Sequence, residues 1–119
     1  MSRSVLLQLA RDSIQEVFQA QRTIDKPALL DEHPLLNERI HTTVNIYIDH
    51  ELRGSSISTN PNKTLLEDIV FNAKKSAFED KDFSPMTTSE YLVCEIELLL
   101  NTPDGMMSEK DPAILKGID

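Results

Sequence analysis

The sequence is short of cysteine, glycine and positive charge, and each shortage excludes a class of protein or site. Its one cysteine, Cys94, excludes an internal disulfide and favours a reducing compartment. The glycines are isolated from one another, which excludes a glycine-rich phosphate-binding loop. Acidic residues outnumber basic ones by 20 to 12, and the net charge of −8 opposes binding to nucleic acid or to anionic membranes.

Long apolar runs and closely spaced metal ligands are missing too. No stretch approaches the roughly 18 apolar residues of a membrane span. The first residues lack the basic stretch and apolar core of a secretion signal. His33, His41 and His50 are eight and nine residues apart, so they form no short pair of metal ligands. We therefore expect a cytoplasmic protein without a metal site or another cofactor.

The sequence does contain clear helix patterns within a single domain of 119 residues. Apolar residues recur at spacings of three and four in residues 4–22, which predicts an amphipathic helix capped by Ser2 or Ser4. Asp25 is placed to cap one further short turn. A second long helix begins at Thr64, where a capping box precedes an alanine-rich apolar stripe. Thr87 or Thr88 is placed to cap a short turn later in the chain.

Two stretches show the alternating pattern of half-buried strands. The first covers residues 41–49, and the second runs from Cys94 to Leu100 and places Cys94 in the core. Residues 103–119 form a tail without a sustained period. The order helix, hairpin, helix, strand predicts an α+β fold in which helices flank a thin, mainly antiparallel sheet of three strands.

The hairpin turn after Ile48 decides which way the second strand faces. A two-residue turn would pair Ile48 with Glu51 and direct Arg53 toward the core. A three-residue loop, residues 49–51, would pair Ile48 with Leu52 and keep both apolar side chains on one face. We predict the longer loop, because a slip of one residue inverts every side chain.

The stretch Arg53-Gly54-Ser55 is the strongest candidate ligand site. A guanidinium group binds carboxylate or phosphate through paired hydrogen bonds, glycine allows close approach, and a hydroxyl adds a donor. The alternative is a solvated arginine beside an inward glycine that lets a helix pack closely. Asn72 is a weaker candidate, since its amide can reach a cleft between helix and sheet or simply be exposed.

The sequence offers little for covalent catalysis. Ser55 would need a base within hydrogen-bond distance. His50 lies in the hairpin turn, far from the serine, and His41 is better placed but has no third group to orient it. Glu95 and Glu97 share a strand face and could act as paired carboxylates, although a solvated outer face explains them as well. We leave enzymatic activity open and favour a binding role.

Several stretches, in order, resemble a known family: LLQLARDSI, ELRGSSIS, LLEDIVFNAKKSAFEDKDFSPMT and EIELLLNTP. They resemble the AMMECR family, named after the human chromosomal region of Alport syndrome, midface hypoplasia and elliptocytosis, over almost the whole chain. The family carries a leucine-arginine-glycine-cysteine-isoleucine-glycine stretch, whereas this chain has Ser55, Ser56 and Ile57 after the first glycine. If the family's chemistry uses its cysteine thiolate, serine would abolish or greatly slow it.

The resemblance implies an α+β domain with an antiparallel sheet and a largely undetermined biochemical role. It implies that Arg53, Gly54 and Ser55 lie at the family's suspected active site. Bacterial and archaeal members often accompany a Memo-like protein and a radical S-adenosylmethionine protein, which implies protein partners in a modification pathway. Family domains continue for several dozen residues, so we expect residues 1–119 to be an incomplete or short form.

We therefore expect an accessory or ligand-binding domain that acts with protein partners. The alternatives are an enzyme that holds an anionic substrate at Arg53 and a structural interaction subunit. Both edges of a three-stranded sheet would be uncovered, and apolar residues of the tail lack a local partner: Met106, Met107, Ile114 and Leu115. We accordingly expect a homodimer in which the tail or an edge strand covers the sheet of the second copy.

Overall fold

The computed structural model describes residues 4–58, 62–102 and 104–114, and in them it confirms the predicted α+β class. The sheet is antiparallel, with the order β2-β1-β3-β4. The elements in chain order are α1 (Val5–Gln19), α2 (Lys26–Glu32), a short 3-10 helix (Pro34–Asn37), β1 (His41–Ile48), β2 (Glu51–Ile57), α3 (Leu65–Phe78), α4 (Thr88–Val93), β3 (Glu95–Thr102) and β4 (Gly105–Asp111).

The helices begin at the capping residues that the sequence predicts. The side chains of Ser4, Asp25 and Thr64 each accept a hydrogen bond from a backbone N–H in the first turn of α1, α2 and α3. Thr87 and Glu90 form a complete capping box at the start of α4. None of the described helices is long and apolar enough to cross a membrane.

The helices α1 and α3 pack on one face of the sheet, called here the inner face, and enclose the core. A Cβ atom at Gly54 would lie 2.1 Å from the backbone carbonyl oxygen of Ser76 in α3. This contact confirms that an inward glycine of β2 lets a helix backbone pack closely. The inner face and the helices bury aliphatic side chains, among them Leu9, Ile14, Val44, Ile46, Leu66, Ile69, Ala73, Ile96 and Leu98.

The hairpin between β1 and β2 has a shorter turn than predicted. Asp49 and His50 form a two-residue turn with φ values of 51° and 67°, and Ile48 pairs with Glu51. The predicted pairing of Ile48 with Leu52 is therefore wrong. A two-residue turn with both φ angles positive matches the twist of the strands, and it usually contains glycine. This turn has none, so the sequence carries no signal for it.

A β-bulge at Arg53 then changes which side chains of β2 face inward. Leu52 lies opposite Tyr47 and Gly54 lies opposite Ile46, which leaves Arg53 as the extra residue of the bulge. Gly54 therefore faces inward and Ser55 outward, as expected. The bulge, and not a longer loop, produces this facing of Gly54 and Ser55. The expected inward facing of Leu52 is wrong, because Leu52 lies opposite Tyr47 on the other face and is 47% exposed.

The predicted tail without regular structure is wrong for residues 105–111, because they form the edge strand β4. This strand pairs with β3, for example Leu100 with Met107 and Ile96 with Asp111, and gives the sheet four strands. Few of its side chains are buried, so it lacks the alternation that reveals a half-buried strand. Met106 is 63% exposed, and Leu115 lies outside the described residues.

Arg11 of α1 anchors the end of β4 through a buried set of hydrogen bonds. Its side chain is 1% exposed and forms an ion pair with Asp111. The guanidinium group also donates to the backbone carbonyls of Tyr91 (3.3 Å), Cys94 (2.9 Å) and Pro112 (3.0 Å). Cys94 lies in the core, as predicted, and burial raises the pKa of its thiol although Arg11 opposes the shift.

Candidate functional site

The face of the sheet opposite α1 and α3 is called here the outer face. In the part of the chain that the structure describes, all of its outward positions are half-buried or exposed. Exposed apolar side chains lie on it beside polar ones. Its members, strand by strand, are His41, Thr43, Asn45 and Tyr47, then Leu52, Ser55 and Ile57, then Glu95, Glu97, Leu99 and Asn101, and finally Met106, Ser108 and Lys110.

A polar row crosses the middle of the outer face, formed by Asn45, Tyr47, Ser55, Glu97 and Lys110. The Ser55 hydroxyl donates to Asn45 Oδ1 at 2.6 Å, and Asn45 Nδ2 donates to Glu97 Oε1 at 3.0 Å. The Tyr47 hydroxyl donates to the same oxygen at 3.1 Å, and Lys110 Nζ lies 3.9 Å from Glu97 Oε2. Direct cross-strand pairing brings together Ser55, Asn45, Glu97 and Lys110, and Tyr47 reaches Glu97 from the diagonal position.

In the row, the neutral donors Asn45 and Tyr47 and the cationic Lys110 surround the carboxylate of Glu97. Burial, and to a smaller extent the hydrogen bond to Glu97, raises the pKa of Tyr47, so its hydroxyl stays a donor at neutral pH. One end of the row borders a shallow cavity of about 350 Å³ whose wall includes His50 and Glu95. The row is therefore suited to hold a polar group in a fixed orientation.

Arg53 is held by contacts within the chain. Its guanidinium group binds both carboxylate oxygens of Glu90, with Nε–Oε2 at 2.7 Å and Nη2–Oε1 at 3.1 Å. Nη2 also donates to the Ser84 carbonyl at 2.7 Å, and the group lies 5.3 Å from the ring centre of Phe83. The side chain is only 11% exposed, so the interpretation as a solvated arginine is wrong.

Arg53 and Glu90 form a close ion pair, and one nitrogen of the guanidinium group is not used in it. The pKa of Glu90 is lowered to about 2, chiefly by the hydrogen bonds from Arg53 and to a smaller extent by the Thr87 N–H, and burial opposes this shift. The Arg53 Nη1 atom is buried and has no hydrogen-bond partner among the described residues. Beside this pair, Asp80 accepts a hydrogen bond from the Ser55 backbone N–H at 2.9 Å and covers that edge of β2.

Ser55 has no activating base in this arrangement. Its hydroxyl donates to an amide oxygen, and an amide oxygen is too weak a base to remove the proton. His41 is four residues from the Asn45 position along β1, which corresponds to about 13 Å. His50 lies at the opposite end of the hairpin. No group of three or more potential metal-ligating side chains occurs within residues 4–58, 62–102 and 104–114.

Asn72 and Gly54 lie on the inner side of the sheet, away from the polar row. Asn72 is fully buried, so the interpretation of its amide as exposed is wrong. Its Nδ2 donates to Thr42 Oγ1 at 2.9 Å, and its Oδ1 accepts from Ser56 Oγ at 2.7 Å. The neighbouring Asp68 also accepts from Thr42. These bonds hold α3 to β1 and β2, so the structure brings Arg53 and Ser55 together but not Asn72.

The sequence and the fold both have counterparts among known proteins. A sequence model of the AMMECR1 family matches residues 7–114. Among solved structures, the chain is similar to the uncharacterised protein PH0010 from Pyrococcus horikoshii, with 28% sequence identity and a TM-score of 0.72. The match covers 82% of this chain and 50% of that one, so this chain spans about half the length of that protein. No curated protein matches the chain.

Proposed function

The chain belongs to the AMMECR1 family, and from this premise we propose that it is an accessory binding domain whose outer sheet face recognises a protein partner. The observation that carries the proposal is the polar row in the centre of a partly apolar face that the described residues leave half-buried or exposed. A face of this kind combines oriented hydrogen-bonding groups with exposed apolar area, which are the two components of a protein interface.

The apolar part of this face lies on both sides of the polar row. Ile57 is 65% exposed, and Leu52 and Met106 are also well exposed. Burial of such side chains supplies most of the favourable free energy of association. The carboxylates of Glu95 and Glu97 favour a partner surface that presents hydrogen-bond donors or positive charge at their position.

Ser55 supports a binding role over covalent catalysis. The family carries a cysteine where this chain has Ser55, and the hydroxyl of this serine donates a hydrogen bond to Asn45 Oδ1. A serine without a base is a weak nucleophile, while its hydroxyl is a good fixed donor and acceptor. The resemblance to the family makes a radical S-adenosylmethionine protein and a Memo-like protein the first partners to test.

The experiment is calorimetric titration of the chain with each of these two proteins, purified from the same organism. Ile57→Glu places a charge on the outer face and should weaken binding at least about tenfold. Leu35→Glu is the matched control, because Leu35 is an exposed leucine of the 3-10 helix, outside the sheet. Equal affinity for both variants, or no binding by the wild type to either protein, would contradict the proposal.

An enzyme that holds an anionic substrate at Arg53 is the second candidate, and the unpartnered Nη1 atom favours it. Glu90 occupies the guanidinium fork, so an anion must compete with it. Glu90→Gln should therefore strengthen binding of a small anion such as phosphate. Arg53→Lys in the same background should cost about 1–3 kcal/mol, because an ammonium group lacks the fork. Identical phosphate affinity in all three proteins would eliminate this candidate.

A further inference from the structure

A second cavity, of about 550 Å³, lies on the helical side of the sheet and away from the polar row. Its wall is built from the end of α1, the turn that follows, the start of α2 and the middle of α3. A volume of this size lies within the range of small-molecule sites, which is roughly 300–1,000 Å³. Nothing in the proposed function uses this cavity.

Glu16 of α1 gives the cavity a rigid wall. Helix α1 stops before Ala20, whose φ of 52° turns the chain back. Glu16 Oε2 then accepts hydrogen bonds from the backbone N–H groups of Thr23 (2.7 Å) and Ile24 (2.9 Å), and Oε1 accepts one from Lys74 Nζ (3.1 Å). Burial would raise the pKa of Glu16, but these bonds outweigh it and the pKa is lowered. The ionised carboxylate therefore fixes both the turn and Lys74.

Three cationic side chains, Arg22, Lys26 and Lys74, line the cavity, in a protein with a net charge of −8. Both acids of the wall have partners within the chain: Glu16 through the bonds above, and Asp25 as the cap of α2, where it accepts from the Ala28 N–H at 3.1 Å.

The cations keep donors for a ligand. The structure describes no hydrogen bond or ion pair for the Arg22 guanidinium group. Lys74 uses one of its three donors on Glu16, and Lys26 forms only an exposed ion pair of 3.5 Å with Glu67. An exposed pair of this kind contributes little and is easily exchanged. The cavity therefore offers one planar fork and two ammonium groups to an incoming anion.

We propose that this cavity binds a small phosphate monoester with an apolar body. The guanidinium fork of Arg22 matches two phosphate oxygens, and the ammonium groups of Lys26 and Lys74 donate to the others. Three cations favour the doubly charged phosphate over a carboxylate with a single charge. Ile24, Pro27 and Val70 add an apolar wall for the remainder of the ligand.

The test is a titration of the whole chain with phenyl phosphate, inorganic phosphate and benzoate, followed by calorimetry and by amide chemical shifts. We expect phenyl phosphate to bind most tightly and to shift the amide signals of residues 22–26. Arg22→Gln should weaken its binding at least about tenfold, since it removes a hydrogen-bonded charge. The matched control is Lys81→Gln, which removes one positive charge from an exposed position outside the cavity and should change affinity less than about twofold.

Each other result overturns a stated part of the proposal. Equal losses in Arg22→Gln and Lys81→Gln would mean that the anion responds only to net charge. Equal affinity for benzoate and phenyl phosphate would refute the assignment to phosphate. No binding of any probe by a folded wild-type chain would refute the site itself. None of these outcomes bears on the outer face, whose partner test uses other residues.

Discussion

Gly54→Ala is expected to be among the most destabilising small substitutions in this protein. Its Cβ atom would lie 2.1 Å from the Ser76 carbonyl oxygen, whereas ordinary contact begins at 3.4 Å. Relief requires α3 or β2 to move by more than 1 Å. Such a movement is opposed by the buried hydrogen bond that the Ser56 hydroxyl of β2 donates to Asn72 Oδ1 of α3. Overpacking of a core costs about 1–3 kcal/mol, and a backbone clash belongs at the upper end or above.

The assay is urea unfolding at neutral pH, compared with two further variants. Ser76→Ala in the Gly54→Ala background should give no rescue, because the clash involves the backbone and not the serine side chain. Gly105→Ala should cost less, about 1–2 kcal/mol, since its φ of 124° strains alanine but its surroundings are open. A free energy of unfolding for Gly54→Ala within about 0.5 kcal/mol of wild type would refute the described packing of α3 on β2.

Four further predictions concern the ion pairs, the hairpin turn and self-association. The pKa of Glu90 is lowered from 4.5 to about 2 on folding, so its charge stabilises the fold above pH 4.5 and this contribution is lost as pH falls toward 2. Glu90→Gln should accordingly lose more stability near about pH 6 than near about pH 3 in urea unfolding, and equal losses would contradict the pair. Arg11→Ala should cost about 3–5 kcal/mol by the same assay, because it removes the buried cation that faces Asp111 and donates to three backbone carbonyls; a cost below about 1 kcal/mol would contradict the anchor. His50→Gly should raise the free energy of unfolding by about 0.5 kcal/mol, since glycine adopts a positive φ without strain, and a loss would argue against the two-residue turn. Light scattering should give twice the chain mass of 13.5 kDa at high concentration and a monomer for Ile57→Glu, and a wild type that stays monomeric at every concentration would contradict the expected dimer.

The helices could be predicted from the sequence because their signals are local. Ser4, Asp25, Thr64 and Thr87 lie within four residues of the N–H groups that they cap. The buried stripe of α3 follows the helical period, and the alternation of β3 correctly placed Cys94 in the core. Each of these features depends on residues that are neighbours in sequence.

The hairpin and the edge strand could not be predicted because their signals are weak or absent. Asp49 and His50 adopt positive φ angles that usually require glycine, so the turn is not evident from the sequence. The bulge at Arg53 then reverses the shift in side-chain facing that the short turn causes. In β4 Asp111 is buried, but other inward side chains are not, as the 58% exposure of Met107 illustrates. Because most side chains of β4 are exposed, its sequence lacks the alternation of apolar and polar residues that predicts a half-buried strand.

The candidate site was found only in part, because its partners are distant in sequence. Arg53 and Ser55 were identified from their side-chain chemistry, but Glu90 lies 37 residues from Arg53 and nothing local links them. Glu97 was recognised as outward-facing, while its contacts with Asn45 and Tyr47 depend on the register between β1 and β3. This register is set when the two strands pair in the sheet, and neither strand's sequence determines it alone.

The buried guanidinium group of Arg11 also sets an order of events during synthesis of the chain. All of its described acceptors lie between residues 91 and 112, about 80 to 101 positions after the arginine. Helix α1 emerges from the ribosome before β4, and Arg11 lacks two of its acceptors until Asp111 and Pro112 have emerged. We expect a nascent chain that pauses before them to keep this helix undocked, with its apolar side accessible to chaperones. Completion of the fold is thus coupled to translation of the last described residues.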